Sequence, residues 1–240
     1  MTKQSAVVFS LLRPAMHTSS TAPTSRRERE RLMRRTAILM AAREVFAEHG
    51  YEKATIDEIA ERAEFGKGTL YNYFQDGKEG ILFAVLDELY DEIVALMQEQ
   101  FDPEAPTATA LRASFRQMAI AGFEYYIERR ALFFIVVKEC NRMLFSDDPE
   151  RSQYLMRQYR RMVDVLMPVL EEAKAAGAIR DVPTEAIAHT LLGNLDGLMV
   201  HLTLETRWED KAPTDLMTAA EAADFLTTLL FDGLLQSSHT

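Results

Sequence analysis

The segment with the most distinctive chemistry is residues 67–73, KGTLYNY, which holds one cation, a threonine hydroxyl, an amide and two tyrosines. On a helix, Leu70 and Phe74 lie four residues apart and share one side, which we predict to be buried. The polar side chains then point outward together: Lys67, Thr69, Tyr71, Asn72 and Tyr73. A merely solvated face rarely has this composition, whereas these groups suit DNA phosphates and base edges in a major groove. The spacing therefore predicts a helix that contacts DNA.

A second short helix is predicted just before this segment, beginning at Ile56. Thr55 and Glu58 have the spacing of a capping box, in which the hydroxyl and the carboxylate each satisfy a free backbone N–H. One apolar face of this helix is formed by Ile59, Ala60 and Ala63. Residues 64–66 break the pattern. We therefore predict two short helices joined by a tight turn over residues 55–78.

These two helices need a third element to bury their apolar faces, and a helix over residues 31–49 is predicted to supply it. Its inner face holds Ile38, Ala42, Val45 and Phe46, and Gly50 is predicted to end it. The run RRERERLMRR, residues 26–35, lies at the start of this predicted helix. It contains six arginines and two glutamates. Two interpretations of this run stay open: the solvated first turns of a helix, or a basic arm that reaches phosphates or a minor groove.

This arrangement resembles the helix-turn-helix of the tetracycline-repressor-like (TetR/AcrR) family of bacterial transcription regulators. The most specific match is the run KGTLYNYF, residues 67–74. The matching residues are Phe46, Gly50, Tyr51, Thr55, Ile59, Ala60, Ala63, Lys67, Gly68, Thr69, Leu70, Tyr71, Tyr73, Phe74 and Lys78.

The chain departs from the family pattern at three places. The family usually has glycine where this chain has Glu64, and a left-handed backbone there costs a non-glycine residue roughly 1 kcal/mol. Gly66 replaces the usual serine or threonine, so one phosphate-binding hydroxyl is missing. One extra residue lies between Phe74 and Lys78, which leaves Asp76 and Gly77 as alternative caps of the next helix.

The resemblance and the outward face together predict the DNA contacts. Tyr71 and Thr69 are expected at base edges, and Lys67, Tyr73 and Lys78 mainly at phosphates. The full predicted set is Thr55, Lys67, Gly68, Thr69, Tyr71, Asn72, Tyr73 and Lys78. If Lys78 binds a phosphate, Lys78→Ala weakens binding to all sequences alike and lowers the salt dependence by about one unit of slope.

The composition predicts an all-α protein. The chain has 240 residues, of which 48% are hydrophobic, with only 10 glycines and 8 prolines. It shows neither the alternating pattern of strands nor an apolar run of about 18 residues that would span a membrane. Its single cysteine, Cys140, excludes an intramolecular disulfide and fits the reducing cytoplasm, where we expect this protein.

The charge distribution predicts two domains. The net charge of −10 divides into +2 for residues 1–25, +1 for residues 26–78 (11 basic, 10 acidic) and −13 for residues 79–240 (14 basic, 27 acidic). We predict a disordered tail over residues 1–25 and an N-terminal three-helix DNA-binding domain over residues 26–78. The resemblance implies that a larger helical domain, residues 79–240, binds an effector and forms the dimer. An acidic second domain would repel DNA and help to orient the approach.

The resemblance implies an effector pocket among the middle helices. A helix over residues 78–101 is predicted to link it to the DNA-binding domain. Most of the aromatic and methionine side chains there are expected in the core, as such stripes usually are. The candidate ligand contacts, for a small and mostly apolar effector, are Phe101, Met118, Phe123, Tyr126, Phe134, Tyr159 and Asn194. Asn194 lies between leucines, so its amide is expected to bond across the dimer, to a nearby helix or to a ligand.

The last two helices, predicted near residues 183–206 and 218–233, carry the candidate dimer interface. Gly193 and Gly197 lie inside the first of them, where each costs up to ~1 kcal/mol relative to alanine. Close approach of a partner helix would offset this cost, and the resemblance implies a four-helix interface between two copies. The predicted interface residues are Leu191, Gly193, Gly197, Leu198, Leu226, Leu229 and Gly233. Ordinary packing within one chain is the alternative.

Enzyme chemistry has little support in this sequence. There is no glycine-rich phosphate loop, no GxSxG and no HExxH. His189 and His201 are twelve residues apart, about 120° around a helix, so they do not converge on a metal. We therefore predict no cofactor, no metal and no membrane partner. The predicted function is a ligand-responsive repressor that binds a palindromic DNA operator as a homodimer, and the alternative is a helical interaction protein with a degenerate helix-turn-helix.

Overall fold

The computed structural model describes residues 25–101, 107–208 and 216–233, and within these ranges the only regular secondary structure is helical. The all-α prediction is confirmed. The helices are α1 Arg26–His49, α2 Ile56–Arg62, α3 Lys67–Tyr73, α4 Gly77–Gln100, α5 Ala108–Glu128, α6 Arg130–Leu144, α7 Pro149–Ala175, α8 Thr184–Trp208 and α9 Ala219–Thr227, which continues as a π-helical turn, Thr228–Asp232. Of the tail predicted over residues 1–25, all but Ser25 lies outside the described residues.

The chain divides into two compact units. The first contains residues 1–92 and 131–139, and the second contains residues 93–130 and 140–240. Helices α4 and α6 each contribute to both units. The functional division predicted at residue 78 stays a prediction. Among the described helices, none is long and apolar enough to cross a membrane.

Helix α1 begins at Arg26, five residues earlier than predicted. Ser25 is its N-cap and forms a capping box with Glu28: the Ser25 hydroxyl accepts the Glu28 N–H, and the Glu28 carboxylate accepts the Ser25 N–H. This cap compensates for a first turn that has no apolar face to bury. The helix ends at Gly50, which has the predicted positive φ of 77°. Its inner face, including Ile38, Leu39, Val45 and Phe46, is fully buried.

Helices α2 and α3 form the predicted helix-turn-helix. Thr55 and Glu58 make the predicted capping box. Glu64 has a φ of 59° and is the one described non-glycine residue with a positive φ, so the chain bears the predicted strain in the turn. Gly66 precedes α3 without a side-chain cap. The next helix, α4, begins at Gly77, itself at a φ of 60°.

The second unit is a helical bundle in which α9 packs on α5, and α8 packs on α7 and α5. Its core contains large side chains that are almost completely buried, among them Phe115, Phe123, Val163, Leu166 and Leu170. Two arginines of α5 also bind α9: Arg116 contacts Asp224 at 2.5 Å, and Arg112 contacts Asp232 at 2.8 Å. These pairs are solvated, so the buried apolar faces supply most of the stability.

Candidate DNA-binding surface

Helix α3 presents the side chains that the sequence predicted for its outer face. Leu70 and Phe74 are buried and attach the helix to the rest of the first unit. Tyr71 is 44% exposed, and Asn72 is also exposed. Thr69 and Tyr73 are half-exposed, and Lys67 and Gly68 are exposed. A hydroxyl, an amide and aromatic rings therefore lie together on the exposed side of α3, and these are groups that can contact base edges and phosphates of DNA.

Lys67 forms a solvated ion pair at the start of α3. Its Nζ lies 3.0 Å from the Asp57 carboxylate of α2, and this hydrogen bond, together with the negative charge, raises the pKa of Lys67. Both side chains are more than half exposed. A surface pair of this kind is weak, so a DNA phosphate can replace Asp57 as the partner of the ammonium.

Lys78 has a structural role that the sequence did not predict. Its ammonium donates three hydrogen bonds to backbone carbonyls, of Tyr51 at 2.9 Å, Glu52 at 3.1 Å and Ala54 at 2.8 Å. The same ammonium lies 4.7 Å from the centroid of the Tyr51 ring. All three N–H donors of the ammonium are thus engaged in fixing the loop between α1 and α2. Its predicted phosphate contact stays an untested prediction.

Thr55 is likewise engaged within the protein. Its hydroxyl accepts the Glu58 N–H at 3.2 Å and donates to the Glu58 carboxylate at 2.8 Å. The bond from the Thr55 hydroxyl, and then the bond from the Thr55 backbone N–H at 2.8 Å, hold the pKa of Glu58 below its usual range. The hydroxyl keeps one lone pair for another donor and no proton to give to a phosphate. Its DNA contact also stays a prediction.

Ion pairs hold α1 against α2 and α4 within the first unit. Arg62 of α2 binds Glu48 in a bidentate manner at 3.0 and 2.7 Å and reaches Glu44 at 3.1 Å. These bonds lower the pKa of Glu48 and raise that of Arg62. Arg43 of α1, itself buried, contacts Glu88 at 3.0 Å. Burial raises the pKa of Glu88 despite its arginine neighbours.

The predicted effector contacts are mostly core residues. Four of them, Phe101, Met118, Phe123 and Tyr126, are buried in the second unit. Phe134 belongs to the first unit, so the structure does not gather the predicted set within one unit. Tyr159 is half-buried and stacks on His189, with ring centroids 5.4 Å apart. Burial, and then the charge of Asp196, raises the pKa of the Tyr159 phenol, which is therefore a neutral donor at physiological pH.

Asn194 makes a hydrogen bond that the sequence did not predict. Its amide nitrogen donates to the Thr190 carbonyl at 2.7 Å, one turn earlier in the same helix. This bond uses one of the two N–H donors of the amide, and the amide oxygen is an acceptor as well. The predicted contact of Asn194 with a ligand, a nearby helix or a second subunit stays a prediction.

The predicted dimer residues divide into two groups. Leu191 is 4% exposed and Leu226 is 2% exposed, so they belong to the core of the protomer, and we correct their assignment to the interface. Gly193 and Gly197 are exposed, and a Cβ at either position would have no neighbour within 4 Å. The remaining three are the half-buried Leu198 and Leu229 and the exposed Gly233.

Two large exposed apolar side chains of the last two helices were missed. Leu204 of α8 is 47% exposed and Phe225 of α9 is 48% exposed. The sequence contained a signal for the first, because residues 193, 197 and 204 fall on one face of a helix. The exposed surface of the last two helices thus combines two bare backbone positions with two apolar side chains.

The comparisons with known proteins agree with the helix-turn-helix geometry. Residues 38–85 match the family model for bacterial regulatory proteins of the tetR family. The chain belongs to the TetR family. The matched residues run from α1 through α2 and α3 into α4, and so include the whole candidate surface of α3.

The relatives of this TetR-family protein are transcription regulators. The repressor AcnR of Corynebacterium diphtheriae is 29% identical over 171 residues, which cover 71% of this chain and 81% of that protein. A TetR/AcrR-family regulator from Thermobifida fusca, a solved structure, is 26% identical with a TM-score of 0.59 and covers 85% of this chain and 100% of its own. Bacillus subtilis FadR, solved with stearoyl-CoA, is 21% identical with a TM-score of 0.67, over 83% and 99% of the two chains, and shows the shared fold. This TetR-family protein is a DNA-binding transcription regulator and not an enzyme.

Proposed function

We propose that this protein is a cytoplasmic, effector-responsive repressor that binds a palindromic operator as a homodimer. The observation that carries the proposal is the outer face of α3, where Thr69, Tyr71 and Asn72 accompany Lys67, whose ammonium is paired with a solvated carboxylate. The name of the relative AcnR supports repression. A symmetric dimer presents two copies of α3 to one duplex, so the operator has two-fold symmetry.

Within this proposal, Tyr71 and Thr69 read base edges, whereas Lys67 and Tyr73 bind phosphates. The exposure of Tyr71 and the weak pairing of Lys67 support these roles. The contact of Gly68 follows from the family pattern, and that of Asn72 from its place on the outer face of α3. The family pattern also gives Thr55 and Lys78, for which a phosphate contact requires exchange of the hydrogen bonds that they make within the protein. Gly68 has open space around its Cα, which allows the backbone of α3 to approach DNA closely.

The test uses an operator selected from genomic fragments with the wild-type protein, and a random duplex of equal length. Tyr71→Ala should reduce the preference for the operator by about 1–3 kcal/mol, the discrimination of one base contact. Lys67→Ala should weaken binding to both duplexes alike, because phosphates carry no sequence information. Gln75→Ala, at an exposed position just beyond α3, is the control. An unchanged preference in Tyr71→Ala would contradict the assignment of base reading.

The dimer is proposed to form through α8 and α9. Gly193 and Gly197 leave the α8 backbone open to close approach, and Leu204 of α8 and Phe225 of α9 are exposed apolar side chains. Because both glycines have free space within the protomer, Gly193→Leu with Gly197→Leu is expected to leave the protomer folded and to overfill the interface. Sedimentation should show weaker self-association than in the wild type.

A matched control places two leucines with the same spacing on α7. Gln153→Leu with Arg157→Leu alters exposed positions outside the proposed interface and should leave the association unchanged. A wild-type protein that sediments as a monomer, or a glycine variant that dimerises normally, would contradict this interface.

The effector is proposed to be a small, mostly apolar molecule bound among the helices of residues 101–200, which alters the spacing of the two DNA-binding modules. Support comes from α4, which contributes to both units, and from the acyl-CoA bound by FadR. A coupling of about 1–3 kcal/mol would change operator affinity about 5- to 150-fold. Linkage requires that operator DNA change effector affinity by the same factor. Stearoyl-CoA, titrated with and without operator, is the first probe, and equal affinities in both titrations would exclude its site as the switch.

A further inference from the structure

A groove of about 560 Å³ lies between the first turns of α1 and the outer side of α3. One wall carries Arg27, Arg31 and Arg34, and the other carries Thr69, Asn72 and Tyr73. Both walls belong to the first unit. The groove exists because the capping box of Ser25 extends α1 beyond its apolar part, so that an ordered basic turn stands beside the DNA-reading helix.

The three arginines of the groove have no partner within the described part of the chain. They stand at positions i, i+4 and i+7 and therefore share one face of α1. Neither a hydrogen bond nor an ion pair with another described residue engages their guanidinium groups. Other arginines of the same helix are paired: Arg26 binds Glu30 at 2.8 Å, and Arg35 binds Glu88 at 3.1 Å.

The groove therefore has an excess of positive charge. Its described lining has three arginines and one carboxylate, that of Glu28, which accepts the Ser25 N–H at 3.0 Å and the Ser25 hydroxyl at 3.1 Å. Like charges four residues apart on a helix repel one another, and cations in a first turn oppose the helix dipole. An anionic partner would relieve both effects. Arginine is suited to phosphate, which it binds through two parallel N–H donors.

We propose that this groove binds the DNA backbone, and that Arg27, Arg31 and Arg34 hold phosphates of the strand that flanks the base pairs read by α3. The proposal rests on the proposed function. From Arg27 to Arg34 the helix rises about 10 Å. Phosphates of one strand follow at about 3.4 Å of duplex axis. The row of guanidinium groups can thus reach more than one phosphate.

Under this proposal the arginine run combines both interpretations, because it forms the solvated first turns of a helix and also contacts phosphates. The run is an ordered helix, not an extended arm, and the arginine face turns toward Thr69, Asn72 and Tyr73. Contacts with phosphate increase affinity without selecting a sequence. The groove therefore supplies binding strength and register, while α3 supplies the choice of operator.

The experiment compares two double variants that lose equal charge from the same helix. Arg31→Gln with Arg34→Gln removes two arginines of the groove, and Arg26→Gln with Arg29→Gln is the control. Fluorescence anisotropy measures binding to the selected operator and to a random duplex, between about 50 and 200 mM salt. The salt slope of the groove variant should fall by about 1.8 for each protomer, at about 0.9 per phosphate contact. When salt rises fourfold, from about 50 to 200 mM, the loss of DNA affinity per protomer is then about tenfold larger in the wild type than in the groove variant.

Three further results are expected. The control variant keeps a slope near that of the wild type. Arg31→Lys with Arg34→Lys restores most of the slope, because charge returns without the bidentate geometry. The ratio of operator to random affinity stays the same in the groove variant, and circular dichroism verifies that all variants keep their helix content.

The outcomes separate this inference from the proposed function. A wild-type protein without preference for any duplex would remove the proposed function. If the wild type selects an operator but the groove variant keeps the full slope, the groove does not bind phosphates. An equal fall in the control would assign the effect to net charge alone. A collapse of the operator-to-random ratio would mean that these arginines read bases, which also overturns the inference.

Discussion

Replacement of Lys78 by methionine separates the two roles that this residue can have. Met keeps most of the aliphatic stem but removes the ammonium that donates to the carbonyls of Tyr51, Glu52 and Ala54. Hydrogen bonds from a charged donor contribute about 1.5–3 kcal/mol each. Here three bonds share one charge, and one of them is exposed. We therefore expect a local loss of about 2–3 kcal/mol.

Hydrogen exchange of the amides in residues 51–60 measures this loss directly. A loss of 2–3 kcal/mol speeds exchange from the loop and the start of α2 by about 30- to 150-fold, at about 1.4 kcal/mol per factor of ten. Lys53→Met removes an exposed cation from the same loop and is the matched control. It should change exchange by less than about threefold, since exposed substitutions rarely exceed about 0.5 kcal/mol.

The salt dependence of operator binding distinguishes the structural role from the phosphate contact predicted by the family pattern. A structural Lys78 leaves the slope of the folded protein unchanged, whereas a phosphate contact lowers it by about 0.9 per protomer. Wild-type exchange rates combined with a lower slope in Lys78→Met would refute the structural reasoning.

Two further predictions concern the helix-turn-helix itself. Glu64→Gly should raise the free energy of unfolding by about 0.5–1 kcal/mol in urea titrations, because glycine accepts the φ of 59° without strain. The control is Glu61→Gly, inside α2, which should lower the free energy of unfolding by about 1 kcal/mol. The lowered pKa of Glu58 favours the folded state above the ordinary value of 4.5, and this stabilisation disappears as the pH falls through the lowered pKa. Glu58→Gln should therefore lose less stability than the wild type on acidification, with Glu61→Gln as the control for charge, and equal acid sensitivity of Glu58→Gln and wild type would contradict this.

Contacts between near neighbours in the chain were predictable from the sequence. The capping box of Thr55 and Glu58, the buried pair Leu70 and Phe74, and the strained Glu64 all depend on residues within about one helical turn. The capping box of Ser25 and Glu28 is equally local. It was missed because the start of α1 was judged from its apolar period, which begins only after the basic turns.

The prediction of which α3 side chains point outward was also correct, because a helix of known register divides its side chains between two sides. The family was recognisable for the same reason: the matched residues cluster in this short local unit. Burial on the longer helices was less predictable. Leu191 and Gly193 are two residues apart, yet one is core and the other is open surface. Periodicity gives the apolar stripe but not the element that covers it.

The sequence by itself determined the helix-turn-helix, its outward chemistry and the family, since each depends on short-range spacing. Only the tertiary structure decided the role of Lys78, whose acceptors lie 24 to 27 residues earlier in the chain. The same holds for Arg27, Arg31 and Arg34, which face α3 across a groove formed by two helices some 40 residues apart in sequence. The position of a lysine or arginine in the sequence does not tell whether its side chain binds a carbonyl, a carboxylate or a phosphate. Its partner is set by which distant backbone and side-chain groups the packing of apolar faces brings within reach.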